Sequence, residues 1–433
     1  MGWEASLLLY VFLIVALLAG GVWVGVAMAI VGIVGITLQS GTDLWQSLGF
    51  VLWNTTNSFT LTAVPLFVLM GEIILVSGLS KRFYEGISGW LRPIPGGLAH
   101  SNILACAAFS AVSGSSTATA VTVGTVALPE MRSRGYDDRF VLGSLAAGGC
   151  LGILIPPSIV MIIYGSIVRQ PIADLFMGGI LPGALVTSLF MGYIMVRSLV
   201  HPHLTPREKN SQSVKLMLVG LWKCWPVVLI MAFILGGIYL GVVTPTEAAA
   251  VGCGAAITLG LVFRELDWES LRRALRNAVN TNAMLMFIIV GAQTLTFAIV
   301  QAGIAREVTS HLVASGLAAA AFFTLVCIMY VVMGCLIDGI SMMLLTLPIL
   351  YPAIIAAGFD GVWFGVVLVI LIELGQITPP VGLNLVAIQS ISGGKPLAEV
   401  AKGAFPYVLL LGVTVVVLYM FPEIVLYVPR LLR

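Results

Sequence analysis

PEMRSRGYDDRFVLGSLAAGGCLGILIPP, residues 129–157, and PAIIAAGFDGVWFGVVLVILIELGQITPP, residues 352–380, decide how this chain is built. Pro129, Gly135-Tyr136-Asp137, Gly152 and Pro156-Pro157 of the first stretch recur as Pro352, Gly358-Phe359-Asp360, Gly375 and Pro379-Pro380 of the second, each 223 positions later. Further out the match is looser. Pro171-Ile172-Ala173-Asp174 resembles Pro396-Leu397-Ala398-Glu399, and Ile180-Leu181-Pro182 resembles Ala404-Phe405-Pro406. Helix breakers at matching places in two halves of an apolar chain point to a secondary transporter and to its binding site.

Composition makes lipid the solvent. The chain is 59% hydrophobic and 9% charged, where a soluble protein carries roughly a quarter charged residues. Several apolar stretches reach the roughly 20 residues that cross a bilayer. A net charge of +2 and the lack of a basic run with interleaved aromatics give no footing for nucleic acid. Cys106, Cys150, Cys224, Cys253, Cys327 and Cys335 have no metal-ligand spacing and read as small core residues. His201 and His203 read as solvated residues of a polar loop. The N-terminus has neither a basic leader nor a small-residue cleavage site, so no cleaved signal peptide is expected.

Along the chain, residues 6–39 are apolar with a break at Gly20-Gly21, residues 43–57 read as interfacial, and residues 59–79 span. Residues 80–98 and 264–280 are amphipathic and suit a membrane surface. Further spans are expected at 174–198, 217–242, 246–263, 282–302 and 405–421. The polar segment 199–215 separates a first repeat, 1–198, from a second, 216–433.

Charge orients the repeats. Residues 99–130 are apolar but carry Lys81, Arg82 and Arg92 before them and Arg132, Arg134 and Arg139 after them. The positive-inside rule puts both ends in the cytoplasm, so this stretch reads as a re-entrant hairpin opening inward. Its counterpart, 317–352, is followed by residues 356–364 with no Lys or Arg, and reads as a hairpin opening outward. The expected fold is therefore an all-α integral membrane protein of inverted repeats. Each repeat holds a re-entrant helical hairpin and a broken transmembrane helix, about 140–168 and about 362–389. Glu4 favours an outside (periplasmic) N-terminus, and Arg430 with Arg433 an inside (cytoplasmic) C-terminus.

The chemistry sits at the interruptions. Ser113-Gly114-Ser115-Ser116-Thr117-Ala118-Thr119 lies mid-stretch, where unpartnered hydroxyls and carbonyls are tolerated only against protein, water or an ion. They suit a hard cation such as sodium, or alternatively close helix packing by small residues. Pro156-Pro157 removes two amide donors and frees carbonyls of the preceding turn for a cation. The half-helix after it offers a positive N-terminus to an anion, and a plain structural kink is the competing reading. Asp338, within Gly334-Cys335-Leu336-Ile337-Asp338-Gly339-Ile340-Ser341, falls opposite Ser115 by the repeat offset. It is open to three roles: sodium ligand, proton relay or helix cap. Glu72, Glu247 and Glu373 are intramembrane or nearly so. Glu247, in Thr244-Pro245-Thr246-Glu247, reads as a capping box, and Glu130 as interfacial. Candidate substrate contacts are Ser115, Thr117, Ser158, Pro379 and Asn384, with Gln389 near the same path.

These motifs together resemble the large membrane subunit of the tripartite ATP-independent periplasmic (TRAP) transporters, the DctM-like group. The carrying residues are Ser113 to Ala120, Ala127-Leu128-Pro129-Glu130-Met131 with Arg134-Gly135-Tyr136-Asp137, Gly152 to Ser158, Thr244 to Ala249, and Gln376-Ile377-Thr378-Pro379-Pro380-Val381-Gly382. The likeness runs in order through nearly the whole chain. It implies a sodium-coupled elevator transporter, similar to the ion transporter superfamily, in a bacterial inner membrane. It implies importing a small carboxylate-bearing organic acid. By the same likeness one sodium site lies between Ser113, Ser116, Gly152, Ile155 and Pro157. The other lies between Gly334, Asp338, Gly375, Thr378 and Val381. The implied partners are a small four-helix membrane subunit, expected on a separate chain, and a periplasmic substrate-binding protein. No organic cofactor is expected.

Three rivals define what would contradict this. A stand-alone anion–sodium symporter of the same design would need no binding protein. An intramembrane enzyme would need a nucleophile with a base, or a metal cluster, and the sequence offers neither. A passive channel would not accumulate substrate against a gradient.

Overall fold

The computed structural model describes residues 2–40, 45–206 and 214–432, and every regular element among them is helical. The first half runs α1 (Trp3–Ala19), α2 (Val24–Ser40), α3 (Trp45–Thr56), α4 (Ala63–Val76), α5 (Leu79–Leu91), α6 (Leu98–Ser113), α7 (Ser116–Ser133), α8 (Asp138–Gly149), α9 (Ile159–Val168) and α10 (Ile172–Val200). The second runs α11 (Val214–Tyr239), α12 (Pro245–Val262), α13 (Trp268–Gln301), α14 (Ile304–Ala314), α15 (Ala319–Gly334), α16 (Gly339–Ala356), α17 (Gly361–Gln376), α18 (Leu383–Ile391), α19 (Leu397–Met420) and α20 (Glu423–Leu431). The middle of the polar segment, 207–213, lies outside the described residues, as do part of the 43–57 segment and Arg433.

The recurring punctuation has a physical meaning. Gly135 and Gly358 take left-handed φ values of 79° and 89°, which glycine adopts without penalty. Each closes its helix with the same wrap-around bond, Tyr136 N to Met131 O at 3.1 Å and Phe359 N to Ile354 O at 3.2 Å. The aspartate two residues on starts the next helix. Asp137 accepts from Phe140 N at 2.9 Å, and Asp360 accepts from Val362 N at 2.8 Å and Trp363 N at 3.0 Å. Ser116 and Gly339, which open α7 and α16, keep the same spacing of 223, as do Asp138 and Gly361 at the starts of α8 and α17.

One boundary differs from the sequence reading. Residues 264–280 and 282–302, expected as a surface helix and a separate span, form the single 34-residue helix α13. Asn280-Thr281-Asn282 is polar but contains no proline or glycine, so nothing interrupts the hydrogen-bond ladder. Its counterpart, α3 with α4, is bent by 48° at the loop between them. Helices α14 and α20 were not anticipated. The capping box is present: Thr244 N donates to Glu247 Oε2 at 2.8 Å, and Glu247 N donates to Thr244 Oγ1 at 3.3 Å.

Among the described residues, six helices are long and apolar enough to cross a membrane, or up to seven if the bent pair counts as one. Leu8, Phe12, Trp222, Leu229, Phe233, Val413 and Val416 are exposed on them and their neighbours. Water would penalise that surface and hydrocarbon would not. At the centre, α17 is buried at every one of its 16 residues. All six cysteines are free, and all but Cys327 are buried.

One charged cluster ties the halves together. Arg132 donates to Asp138 at 2.8 Å and to the Ser392 carbonyl at 2.7 Å, and Lys395 reaches Asp138 at 3.0 Å. The hydrogen bond from Arg132, helped by Lys395, holds the Asp138 carboxyl below its ordinary value of 3.8. A depressed carboxylate stabilises the fold fully above its unfolded value and loses that contribution as pH falls through the folded value. Acidification from about pH 5 toward pH 2 should therefore lower the wild-type melting midpoint through this cluster. Asp138→Asn should show a smaller drop over that range. Superimposable pH profiles for the two proteins would contradict the assignment.

Candidate functional site

The two interruptions expected to carry chemistry are tight turns between paired helices. Between α6 and α7, Gly114 turns the chain at φ 59°. Ser115 caps α7, and the Ser113 hydroxyl lies 2.6 Å from that of Thr119 and 3.3 Å from the Ser115 carbonyl. Between α15 and α16, Asp338 caps α16 by accepting from Ser341 N at 3.0 Å. Of the three roles open to Asp338, capping is therefore one it performs.

Each turn seats on a broken helix. The first break separates α8 from α9 and the second separates α17 from α18, and both Pro–Pro bonds are cis. Gly152 crosses the start of α7 so closely that a Cβ on it would lie 2.5 Å from Ser116 Cα and 2.8 Å from the Ser115 carbonyl. Gly375, its repeat equivalent, crosses Gly334 equally closely, a Cβ there falling 2.6 Å from Gly334 Cα. Such distances are reachable only without side chains, which explains glycine at both crossings. Further bonds lock each pair. Ser110 donates to the Leu151 carbonyl and, at 3.4 Å, to that of Ile155. Gly382 N donates to the Cys335 carbonyl at 3.3 Å, and Cys335 Sγ meets the Pro379 carbonyl at 3.2 Å.

The structure thus brings Ser116 to Gly152, with Ile155 tied to the same helix pair, and Gly334 to Gly375. Thr378 hydroxyl donates back to the Leu374 carbonyl at 2.5 Å. Pro157 and Ser158 are buried in the first break, where Ser158 caps α9. Pro379 and Val381 in the second break are exposed.

A cavity of about 480 Å³ opens beside the first turn. Ser113, Ser115, Thr117 and Thr119 line one wall, and Glu72 of α4 with Thr281 and Met284 of α13 line another. Of the expected substrate contacts, Ser115 and Thr117 line this cavity. Asn384 is not among the lining residues. It is fully buried and donates to Glu373 Oε2 at 3.2 Å.

Sequence reasoning gave Gln376 and Glu373 no specific role. Gln376 joins the halves: its Oε1 accepts from the Ser116 hydroxyl at 2.9 Å, and its Nε2 lies against Gly339 at the start of α16. It therefore touches the first residue after each turn. The signal was available, since Glu373 and Gln376 share one face of an otherwise apolar helix. The repeat obscured it, because their equivalents, Cys150 and Ile153, are not charged or amide-bearing.

Comparison with known proteins bears on the whole assembly. Residues 11–424 match the family model described as the tripartite ATP-independent periplasmic transporter, DctM component. The chain is 34% identical to the C4-dicarboxylate TRAP transporter large permease protein DctM of Pseudomonas aeruginosa, over 90% of each chain. It is 31% identical to the 2,3-diketo-L-gulonate TRAP transporter large permease protein YiaN of Escherichia coli, over 96% of this chain and 98% of that one. Among solved structures, the YdaH transporter of Alcanivorax borkumensis aligns with a TM-score of 0.58 at 14% identity, over 92% of this chain and 96% of that one. That last likeness concerns the fold alone.

Proposed function

We propose, from the premise that the chain belongs to the DctM component family of tripartite ATP-independent periplasmic transporters, that this large permease subunit is a sodium-coupled importer of a small carboxylate-bearing organic acid. The observation that carries the reading is the doubled crossing. Two helix turns seat on two broken helices at equivalent glycines, with no side chain between them, and the backbone carbonyls of Ser115 and Tyr330 lie beside the two crossings. Oxygen donors of that kind suit a hard cation. Sodium would sit among Ser113, Ser116, Gly152, Ile155 and Pro157, and among Gly334, Asp338, Gly375, Thr378 and Val381.

The coupling is electrostatic. A carboxylate entering the membrane interior is costly alone. Bound sodium offsets its charge, so each favours the other's binding. Ser115 and Thr117 face the cavity in which the acid would lie. The unit holding both turns and both broken helices would then slide against α2, α4, α11, α12 and α13 in an elevator motion. The large-permease names of the relatives, which differ in the substrate they state, support a system in which a periplasmic binding protein chooses the substrate and a small four-helix subunit completes the membrane part. The site for all of this is the bacterial inner membrane.

The test needs no substrate. Thermal unfolding of the purified chain is compared in sodium and in choline at equal ionic strength. A ligand at about 100 times its dissociation constant stabilises by about 2.7 kcal/mol. A sodium-specific rise in the midpoint is expected, reduced by Ser116→Ala and by Thr378→Ala. Equal midpoints in the two salts would remove sodium from the account.

A further inference from the structure

Glu373 is 1% exposed in the middle of α17. Asn384, 0% exposed, sits on α18 beyond the Pro379-Pro380 break. Asn384 Nδ2 donates to Glu373 Oε2 at 3.2 Å, while Glu373 Oε1 and Asn384 Oδ1 are both buried without a hydrogen-bond partner. No Lys, Arg or His is paired with Glu373 among the described residues. Cys150 closes the other side, its Sγ 3.8 Å from Asn384 Nδ2 and 3.9 Å from the Glu373 carbonyl oxygen.

Cys150 and Glu373 are equivalents in the repeat, 223 residues apart, and they touch. Equivalent residues meet only where the two halves face each other, so this carboxyl lies at the junction of the repeats. The first half supplies a thiol there and the second a carboxyl. The site is therefore not a copy of either crossing, although it borders both.

An uncompensated carboxylate in a dry interior costs several kcal/mol. Two buried acceptor oxygens left without hydrogen-bond partners form an incomplete coordination shell. Glu373 is the one carboxyl in this contact set, beside the Asn384 amide and the Cys150 thiol, so its ionised form carries one unit of charge and matches a monovalent ion. A proton on Glu373 would neutralise the charge. A sodium ion would neutralise it and also engage both orphaned oxygens, from both halves of the broken helix at once.

We infer that Glu373 and Asn384 form a third monovalent-cation site, at the junction of the repeats, with Glu373 Oε1 and Asn384 Oδ1 as ligands and sodium as the occupant. The choice of ion rests on the sodium-coupled reading above. The ion would join α17 to α18 across the second break and place a positive charge between the two crossings.

The experiment counts ions in the purified full-length chain. The melting midpoint is followed against sodium concentration at constant ionic strength for wild type, Glu373→Gln, Asn384→Ala and Thr378→Ala. At saturation the slope of stability against log concentration scales with the number of ions released on unfolding. Glu373→Gln should lower the slope by about a third, and Asn384→Ala should raise the concentration needed to reach it. A wild-type slope in Glu373→Gln would overturn the site and leave the carboxyl with a proton. A slope reduced by Glu373→Gln but untouched by Thr378→Ala would keep this site and sink the second crossing. Equilibrium dialysis with radioactive sodium on wild type covers the case in which Glu373→Gln does not fold. About three ions per chain is expected, and about two would overturn the proposal.

Discussion

Gly375→Ala should abolish sodium-dependent uptake in a chain that still inserts and folds. The added Cβ would lie 2.6 Å from Gly334 Cα and 3.1 Å from the Tyr330 carbonyl. Carbon atoms rest at about 3.5–4.0 Å, and both obstacles are backbone, so no rotamer change relieves them. Helix α15 must move away from α17 by about an ångström. Overpacking of this kind typically costs about 1–3 kcal/mol, which a protein of this size can survive. Function is less forgiving, because a misplacement of about 1 Å in a positioned group costs about 100-fold. Gly334→Ala should fail in the same way, since its Cβ would meet Gly375 Cα at 2.7 Å. Gly412→Ala, on α19 with nothing within 4 Å, is the control and should transport normally. The measurement is sodium-driven uptake into proteoliposomes holding the permease, its small subunit and the binding protein, with surface expression and melting recorded alongside. Wild-type uptake by Gly375→Ala would mean that the close crossing is packing without function.

Much of the fold is legible in the sequence because helix punctuation is local. A left-handed glycine followed by a capping aspartate is written in adjacent residues, so Gly135-Tyr136-Asp137 and Gly358-Phe359-Asp360 mark the starts of α8 and α17 by their letters alone. The turn at Ser113–Ser116 is visible as small polar residues inside an apolar run, and the turn at Gly334–Asp338 as a glycine and a lone aspartate inside another. Relations between distant residues are not legible. Nothing in the letters says that Ser116 donates to Gln376, 260 positions away. Nor does anything say that Asn384 turns inward to Glu373 instead of lining the cavity. The boundary missed at 280–282 has a different cause: polarity was read as a break where only proline, glycine or a capping geometry makes one. Asp338 shows a third limit. A carboxylate in an apolar segment is conspicuous, but its cap to Ser341 N depends on backbone geometry that a sequence does not display.

The double variant Pro379→Ala with Pro380→Ala should separate stability from function in the opposite sense to Gly375→Ala. Helix α17 ends at Gln376 and α18 begins at Leu383. Because Pro380 brings no amide donor, the Gln376 carbonyl at the end of α17 receives no bond from the next turn, and the ladder stops there. Alanine restores both donors and has the highest helix propensity, about 3 kcal/mol better than proline at an interior position. The segment then gains a way to continue the α17 ladder past Thr378. Carbonyls that would have faced an ion accept amides instead. Gly382 is drawn away from the Cys335 carbonyl, which it now meets at 3.3 Å, and the contact between Cys335 and Pro379 goes with it. The expected result is a melting midpoint in choline that holds or rises, a sodium response that is lost, and no uptake. A variant that melts lower and still answers to sodium would mean that the prolines brace the fold and that the ion is held elsewhere. The sign of the stability change therefore decides the matter. A break that exists only to bend a helix should become less stable when its shape is lost, whereas a break kept open for a ligand becomes more stable when it closes.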